Sequence, residues 1–236
     1  MSIALVPKGN SNRRSFLTFV LAGAAVIPLS EGAVARDEHH SANVIEVGRD
    51  APKHARTQKT ILTAVALREL WLGHIFWVRN VSVATIDKNY SAGKAAEQQA
   101  VANAKAIAAS IQPFYGAAAE DSFFKLLAGH YGAVKAYLVA TVAADAAAQA
   151  TATQVLASNA EEIAALLSKA NPYLEQDAVQ GALLAHGGHH IQQIRQLNNR
   201  EYEAEAQTWE EMKNHVYQIA DATADALAKQ FAEKFS

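Results

Sequence analysis

The residues best suited to chemistry in this chain are histidines, of which there are nine, with no cysteine beside them. His186 and His190 are four residues apart. On a helix, that spacing stacks two imidazoles on one face about one turn apart and lets both ring nitrogens reach one metal ion. His74 and His130 sit among apolar residues, and His215 follows Glu211 by four, which adds a carboxylate as ligand or orienting partner. His74, His130, His186, His190 and His215 are therefore the candidate metal ligands, with His189 extending the local cluster. Neutral imidazoles with one carboxylate suit zinc, copper or nickel. Di-iron bundles use Glu-x-x-His pairs, and the helical part of this chain has none. Gly73, Gly129 and Gly187-Gly188 each adjoin a core histidine. They leave room for a flat ring, so haem is a second cofactor reading, although close helix crossing explains the glycines more simply. Any haem would be noncovalent, because there is no Cys-x-x-Cys-His.

Such ligands need rigid elements to hold them, and the apolar periodicity supplies helices. Leu67, Trp71, His74, Val78, Val81 and Thr85 recur at three and four over 57–89. Tyr90-Ser91-Ala92-Gly93 breaks the pattern, and a second helix is predicted over 94–111. The segment Gln112-Pro113-Phe114-Tyr115-Gly116 turns the chain. Phe123, Leu127, His130, Val134, Tyr137 and Thr141 mark a third helix, capped by Asp121 or Ser122 and reaching into the alanine-rich stretch 143–152. Asn159–Lys169 closes a fourth segment, which Asn171-Pro172 ends. Two more helices are predicted over 176–198 and 201–231. Without alternating β-branched runs no sheet is expected. The fold class is all-α: an antiparallel helical bundle with four principal long helices plus shorter segments.

The N-terminus reads as an address. Arg13-Arg14-Ser15-Phe16-Leu17 precedes an apolar run to Leu29, and Ala33-Val34-Ala35 offers small residues at a cleavage site. The arginine pair followed by Phe-Leu resembles the twin-arginine export motif, with Asn12 and Thr18 in place of its usual serine and lysine. Residues 1–35 are thus expected to be a signal peptide of twin-arginine type, 36–56 a flexible lead-in holding His39, His40 and His54, and 57–236 the bundle. The mature protein is placed in the periplasm or outside the cell. The apolar run is shorter than the roughly 20 residues that span a bilayer. No later segment is expected to span, so no stable membrane span should remain after cleavage.

Half of the residues are hydrophobic and 19% are charged, which excludes a disordered chain. Removing Lys8, Arg13, Arg14 and Glu31 with the signal takes 21 basic and 23 acidic side chains to a formal charge of −4. An acidic surface without a basic stripe excludes nucleic acid as a partner. A small ligand or a protein partner stays open. The absence of cysteine excludes disulfides and thiolate sites.

Leu70-Trp71-Leu72-Gly73-His74-Ile75-Phe76-Trp77-Val78-Arg79-Asn80 resembles the opening of a family of exported bacterial all-α proteins, in which Leu-Trp, His, Trp and Arg-Asn recur at this spacing. Pro113-Phe114-Tyr115-Gly116, Leu126-Leu127 with His130, Asn159-Ala160, Ala170-Asn171-Pro172, His186, His215, and Lys229-Gln230-Phe231 with Lys234-Phe235 extend the resemblance in order. It covers about residues 65–235 and implies a helical fold and export but no defined activity. His189 and His190 depart from that pattern.

The first functional expectation is a histidine-based metal- or cofactor-binding bundle. A second is a structural or partner-binding bundle without cofactor. A third is an enzyme with a His/Glu general base, for which a pocket joining His74 and Glu210 is the discriminator. Arg79 is expected to orient a buried carboxylate, Glu205 or Glu210, or to lie on the surface.

Overall fold

Alanine and leucine dominate the chain after residue 57 and favour helix almost everywhere, so the architecture is decided where helices stop. The computed structural model describes residues 56–236. The expected signal and residues 36–55 of the lead-in lie outside the described residues. In chain order the elements are α1 (Gln58–Ile86), α2 (Tyr90–Ala109), α3 (Gln112–Tyr115), α4 (Ala117–Val142), α5 (Ala146–Ala170), α6 (Gln176–Asn199), α7 (Tyr202–Gln230) and α8 (Ala232–Phe235). The described residues are all-α, without a strand.

Six helices are long, where the sequence suggested four principal ones. The difference lies mainly in the alanine-rich stretch. A single helix was expected to run from Asp121 past residue 143, yet the chain breaks at Ala143-Ala144-Asp145. Ala144 adopts φ 54°, and Asp145 caps α5 by accepting a hydrogen bond from the Ala148 amide at 2.9 Å. The segment expected at 159–169 is the second half of α5.

That break is one of three. Lys88, Ala144 and Arg200 are the non-glycine residues of positive φ among those described, at 56°, 54° and 62°. The next residue in each case returns its amide to a carbonyl five back: Asn89 to Ala84, Asp145 to Ala140, Glu201 to Gln196. Each is a Schellman-type closure that folds two helices into a hairpin. The hairpins α1–α2, α4–α5 and α6–α7 repeat with a fixed period, 144 − 88 = 200 − 144 = 56 residues. The first helices of the hairpins, α1, α4 and α6, contact one another at the centre. Each second helix packs outside, across its own partner and the next hairpin: α2 on α1 and α4, α5 on α4 and α6, α7 on α6 and α1. The arrangement is a pseudo-threefold ring of hairpins. Helices within a hairpin are antiparallel, whereas the three inner helices run parallel, with equivalent residues at equal heights.

A left-handed conformation costs a residue with a Cβ roughly 1–2 kcal/mol, of which glycine recovers part. Ala144→Gly is therefore expected to raise the unfolding free energy by about 1 kcal/mol, measured by urea denaturation. No gain would mean that the turn relaxes at no cost.

Among the described residues α1 is long and apolar enough to cross a bilayer, which corrects the expectation that no later segment is. Part of its apolar surface serves the bundle, while Ile61, Leu62, Val65 and Phe76 are exposed. Leu67, Trp71, Ile75, Val78 and Val81 are buried, with Leu67, Trp71 and Ile75 packed against Met212, Val216 and Ala220 of α7.

Candidate metal centre

The hairpin repeat sets three histidines at one level. His74 on α1, His130 on α4 and His186 on α6 are separated by the same period of 56, and α6 adds His190 one turn further on. One ring nitrogen from each of the four lies within 4.8 Å of the others. All four side chains are buried. The Nε2 atoms of His186 and His190 are 3.2 Å apart. Zinc–nitrogen bonds of about 2.0–2.1 Å in a tetrahedron place ligand atoms roughly 3.3 Å apart, so this pair already spans one coordination edge. His130 stacks on His186 with ring centroids 5.6 Å apart and planes 11° off parallel. His74 lies 5.4 Å from the rings of both His186 and His190. Trp71 flanks the group edge-on, 5.9 Å from His74 and 5.8 Å from His186.

The outer helices hold the inner ones through a repeated contact. The Nδ2 of Asn103 on α2 donates to the Leu70 carbonyl, and the Nδ2 of Asn159 on α5 donates to the Leu126 carbonyl, both at 3.0 Å and both across 33 residues. His215 on α7 takes the third equivalent position, its Nε2 2.8 Å from the Ala182 carbonyl, again across 33 residues. A carbonyl can only accept, so Nε2 of His215 carries the hydrogen. The same logic fixes His130. With Nδ2 of Asn159 spent on a carbonyl, its Oδ1 faces His130 Nδ1 at 3.2 Å and must accept from it. His130 Nε2 is then a bare lone pair, with no hydrogen-bond partner. His74 Nε2 and His186 Nδ1 are also buried and unpartnered. In the third hairpin a histidine replaces the asparagine, so the amide oxygen that serves His130 has no counterpart for His186.

Gly73 and Gly129 make room for these amides. A Cβ at Gly73 would stand 2.8 Å from Asn103 Nδ2, and one at Gly129 3.3 Å from Asn159 Nδ2. Gly187 does the same for Leu156, at 2.9 Å. The glycines permit close helix contact and do not line a slot.

No carboxylate enters the group. Burial pushes His74 down to about 3, with repulsion from His130 the lesser cause. His130 falls to about 4, also through burial, although its bond to Asn159 pulls the other way. His186 and His190 lie well below the ordinary imidazole value, first through burial and then through neighbouring histidines. Near pH 7 the site is four neutral imidazoles, the form that binds metal.

The structure thus brings together four of the five expected ligands. His215 stands apart, committed to Ala182 and packed against His189 with centroids 5.3 Å apart. Glu211, the carboxylate expected to pair with it, is exposed and makes no hydrogen bond to its ring. Glu210 is exposed too and bonds Lys213 at 2.5 Å, so it does not form the pair with His74 that a general base required. Arg79 does orient a buried carboxylate, and it is Glu205. Its Nε and Nη2 donate to the two oxygens at 2.7 and 2.8 Å, and Gln193 adds a third bond at 2.8 Å. Asn103 and Asn159 went unrecognised as positioning residues. The signal for them was the period: Leu-x-x-Gly-His at 70–74 and 126–130, each followed by its asparagine.

Comparison of the chain with protein-family models, with curated protein sequences and with solved structures finds no match in any of the three.

Proposed function

We propose that the chain is an exported metal-binding bundle in which His74, His130, His186 and His190 hold one transition-metal ion. One observation carries the reading: four buried neutral imidazoles converge without a carboxylate, and three of their nitrogens have no hydrogen-bond partner. Buried polar atoms are nearly always satisfied, and the bare Nε2 atoms of His74 and His130, in a group whose ring nitrogens lie within 4.8 Å of one another, call for an ion. Zinc, copper and nickel all accept imidazole, and a closed four-nitrogen set fits tetrahedral zinc best. Nitrogens this close suit a single ion and leave no plane for a haem between them. The twin-arginine-type segment supports export, which would let the protein acquire its metal while folded. Four protein ligands leave no open coordination position, so the ion is a fixed structural or storage centre unless one histidine lets go.

The test is metal stoichiometry of the purified protein after equilibration with zinc, copper or nickel and removal of loose ions. One ion per chain is expected. His186→Ala and His190→Ala should lose it, and Asn159→Ala, which frees the His130 ring, should weaken it about 10–100-fold. His215→Ala should leave the affinity unchanged. A folded wild-type protein that retains none of the three metals sinks the reading and leaves a partner-binding bundle without cofactor.

A further inference from the structure

The same threefold arrangement that gathers the histidines builds a second feature directly above them. One turn before His74, His130 and His186 stand Trp71, Leu127 and Leu183, and a further turn back Leu67, Phe123 and Val179. All six line one cavity of about 260 Å³. Ile107, Ile163 and Ile219, which are repeat mates on the outer helices, complete its wall. The cavity therefore lies on the pseudo-threefold axis, and its inner end is Trp71, which touches two histidine rings of the metal centre.

We propose that this cavity binds a neutral, apolar small molecule and delivers it to the face of the histidine centre. The chemistry of the wall sets the ligand class. The hydroxyls of Ser110 and Thr223 are turned back onto the Ile107 and Ile219 carbonyls, so they offer a ligand no free donor. No cationic side chain lines the cavity to hold a carboxylate or phosphate, and the one charge is the exposed Glu175 near Tyr173 at the rim. An anionic head is therefore repelled, and a hydrocarbon ring or chain is accepted. An apolar cavity of roughly 150 Å³ already holds benzene, so this one has room for a two-ring aromatic or a medium alkyl chain. The inference deepens the metal-centre reading by naming what reaches it, but the cavity itself needs no ion.

The probe is N-phenyl-1-naphthylamine, a neutral fluorophore that brightens in apolar surroundings, titrated into the full chain both zinc-loaded and chelator-treated. Saturable binding at one site per chain is expected in both states, with displacement by 1-decanol and at least about tenfold weaker displacement by decanoate. Ala178→Trp and Ala222→Trp place bulk on exposed helix positions that line the cavity, where the fold tolerates it. Each should weaken the probe about tenfold or more, whereas Ala165→Trp, exposed on α5 away from the cavity, should not. Absence of saturable binding to cooperatively folded protein, or equal affinity in all three variants, overturns the proposal. Metal binding without probe binding would remove this inference alone, and probe binding without metal would remove the metal reading alone.

Discussion

Metal-free protein taken from pH 7 to pH 5 is expected to lose about 4 kcal/mol of unfolding free energy from His74 and His130 alone. The sign follows from where the proton goes. Both imidazoles titrate near 6.5 when unfolded, and burial lowers them to about 3 and about 4 in the native core. Between those values and 6.5 the unfolded chain binds protons that the native one refuses, so stability is full above pH 6.5 and falls as the solution is acidified. Each group contributes about 2 kcal/mol by pH 5. His186, His190 and His189 are lowered as well and act in the same direction. Asp221, held below its ordinary 3.8 by its bond to Arg68, titrates at lower pH. Urea denaturation at pH 7, 6 and 5 in the presence of a chelator checks the effect, and saturating zinc should raise the curve at pH 7 and steepen it, because protons must then displace the ion. A metal-free profile that is flat from pH 7 to 5 would mean that water solvates the four rings and that the centre is open.

The pseudo-threefold repeat explains both what the site has and what it lacks. Symmetry supplies one histidine per hairpin, at 74, 130 and 186, and three ligands alone would leave the fourth metal position open to solvent or substrate. The fourth ligand is a departure from symmetry: where the first two hairpins carry Val78 and Val134, the third carries His190. Only Asn159 orients a ring: Asn103 Oδ1 has no hydrogen-bond partner and His215 takes the third position, so His74 and His186 both lack the amide that serves His130. The extra ligand lies one turn beyond the other three, on the side of the histidine layer away from the cavity, and is tied to the layer by the 3.2 Å contact between the His186 and His190 Nε2 atoms.

Much of this was legible in the sequence, and the failures have physical causes. Spacings of three and four placed His74 and His130 on buried faces, and the interval of four placed His186 with His190. His215 was grouped with them because spacing reveals a shared helix face but not which neighbour that face meets; its ring points to the backbone of α6. The break at Ala143–Asp145 was hidden because alanine favours helix on both sides, and the stop depends on Ala144 accepting a left-handed conformation closed by backbone hydrogen bonds. Only Asp145, a good capping residue, marked it. The period was masked because few identities survive three copies. Leu-x-x-Gly-His recurs twice and is altered in the third, where Ala185 precedes His186.

Arg79→Ala should be among the most destabilising single changes outside the histidines, by about 3–5 kcal/mol. Glu205 is 3% exposed, and its carboxylate is held by the Arg79 fork and by Gln193. Taking away Arg79 leaves a buried charge with one amide for company. The reverse truncation is milder, because Arg79 has a side chain about one-third exposed that water can solvate once its partner is neutral. Glu205→Gln keeps the shape and removes the charge, and should cost about 1 kcal/mol. The double variant Arg79→Ala/Glu205→Gln should therefore be more stable than Arg79→Ala alone, a reversal that urea denaturation of the three proteins resolves directly. If Arg79→Ala falls within about 1 kcal/mol of wild type, Glu205 is reached by water and the pair is an ordinary surface bridge. The pair matters to the site because it joins α1, which carries His74, to α7, while Gln193 ties in α6 one turn beyond His190. Loss of that three-helix clamp is a route by which a substitution remote from the four rings would loosen their packing.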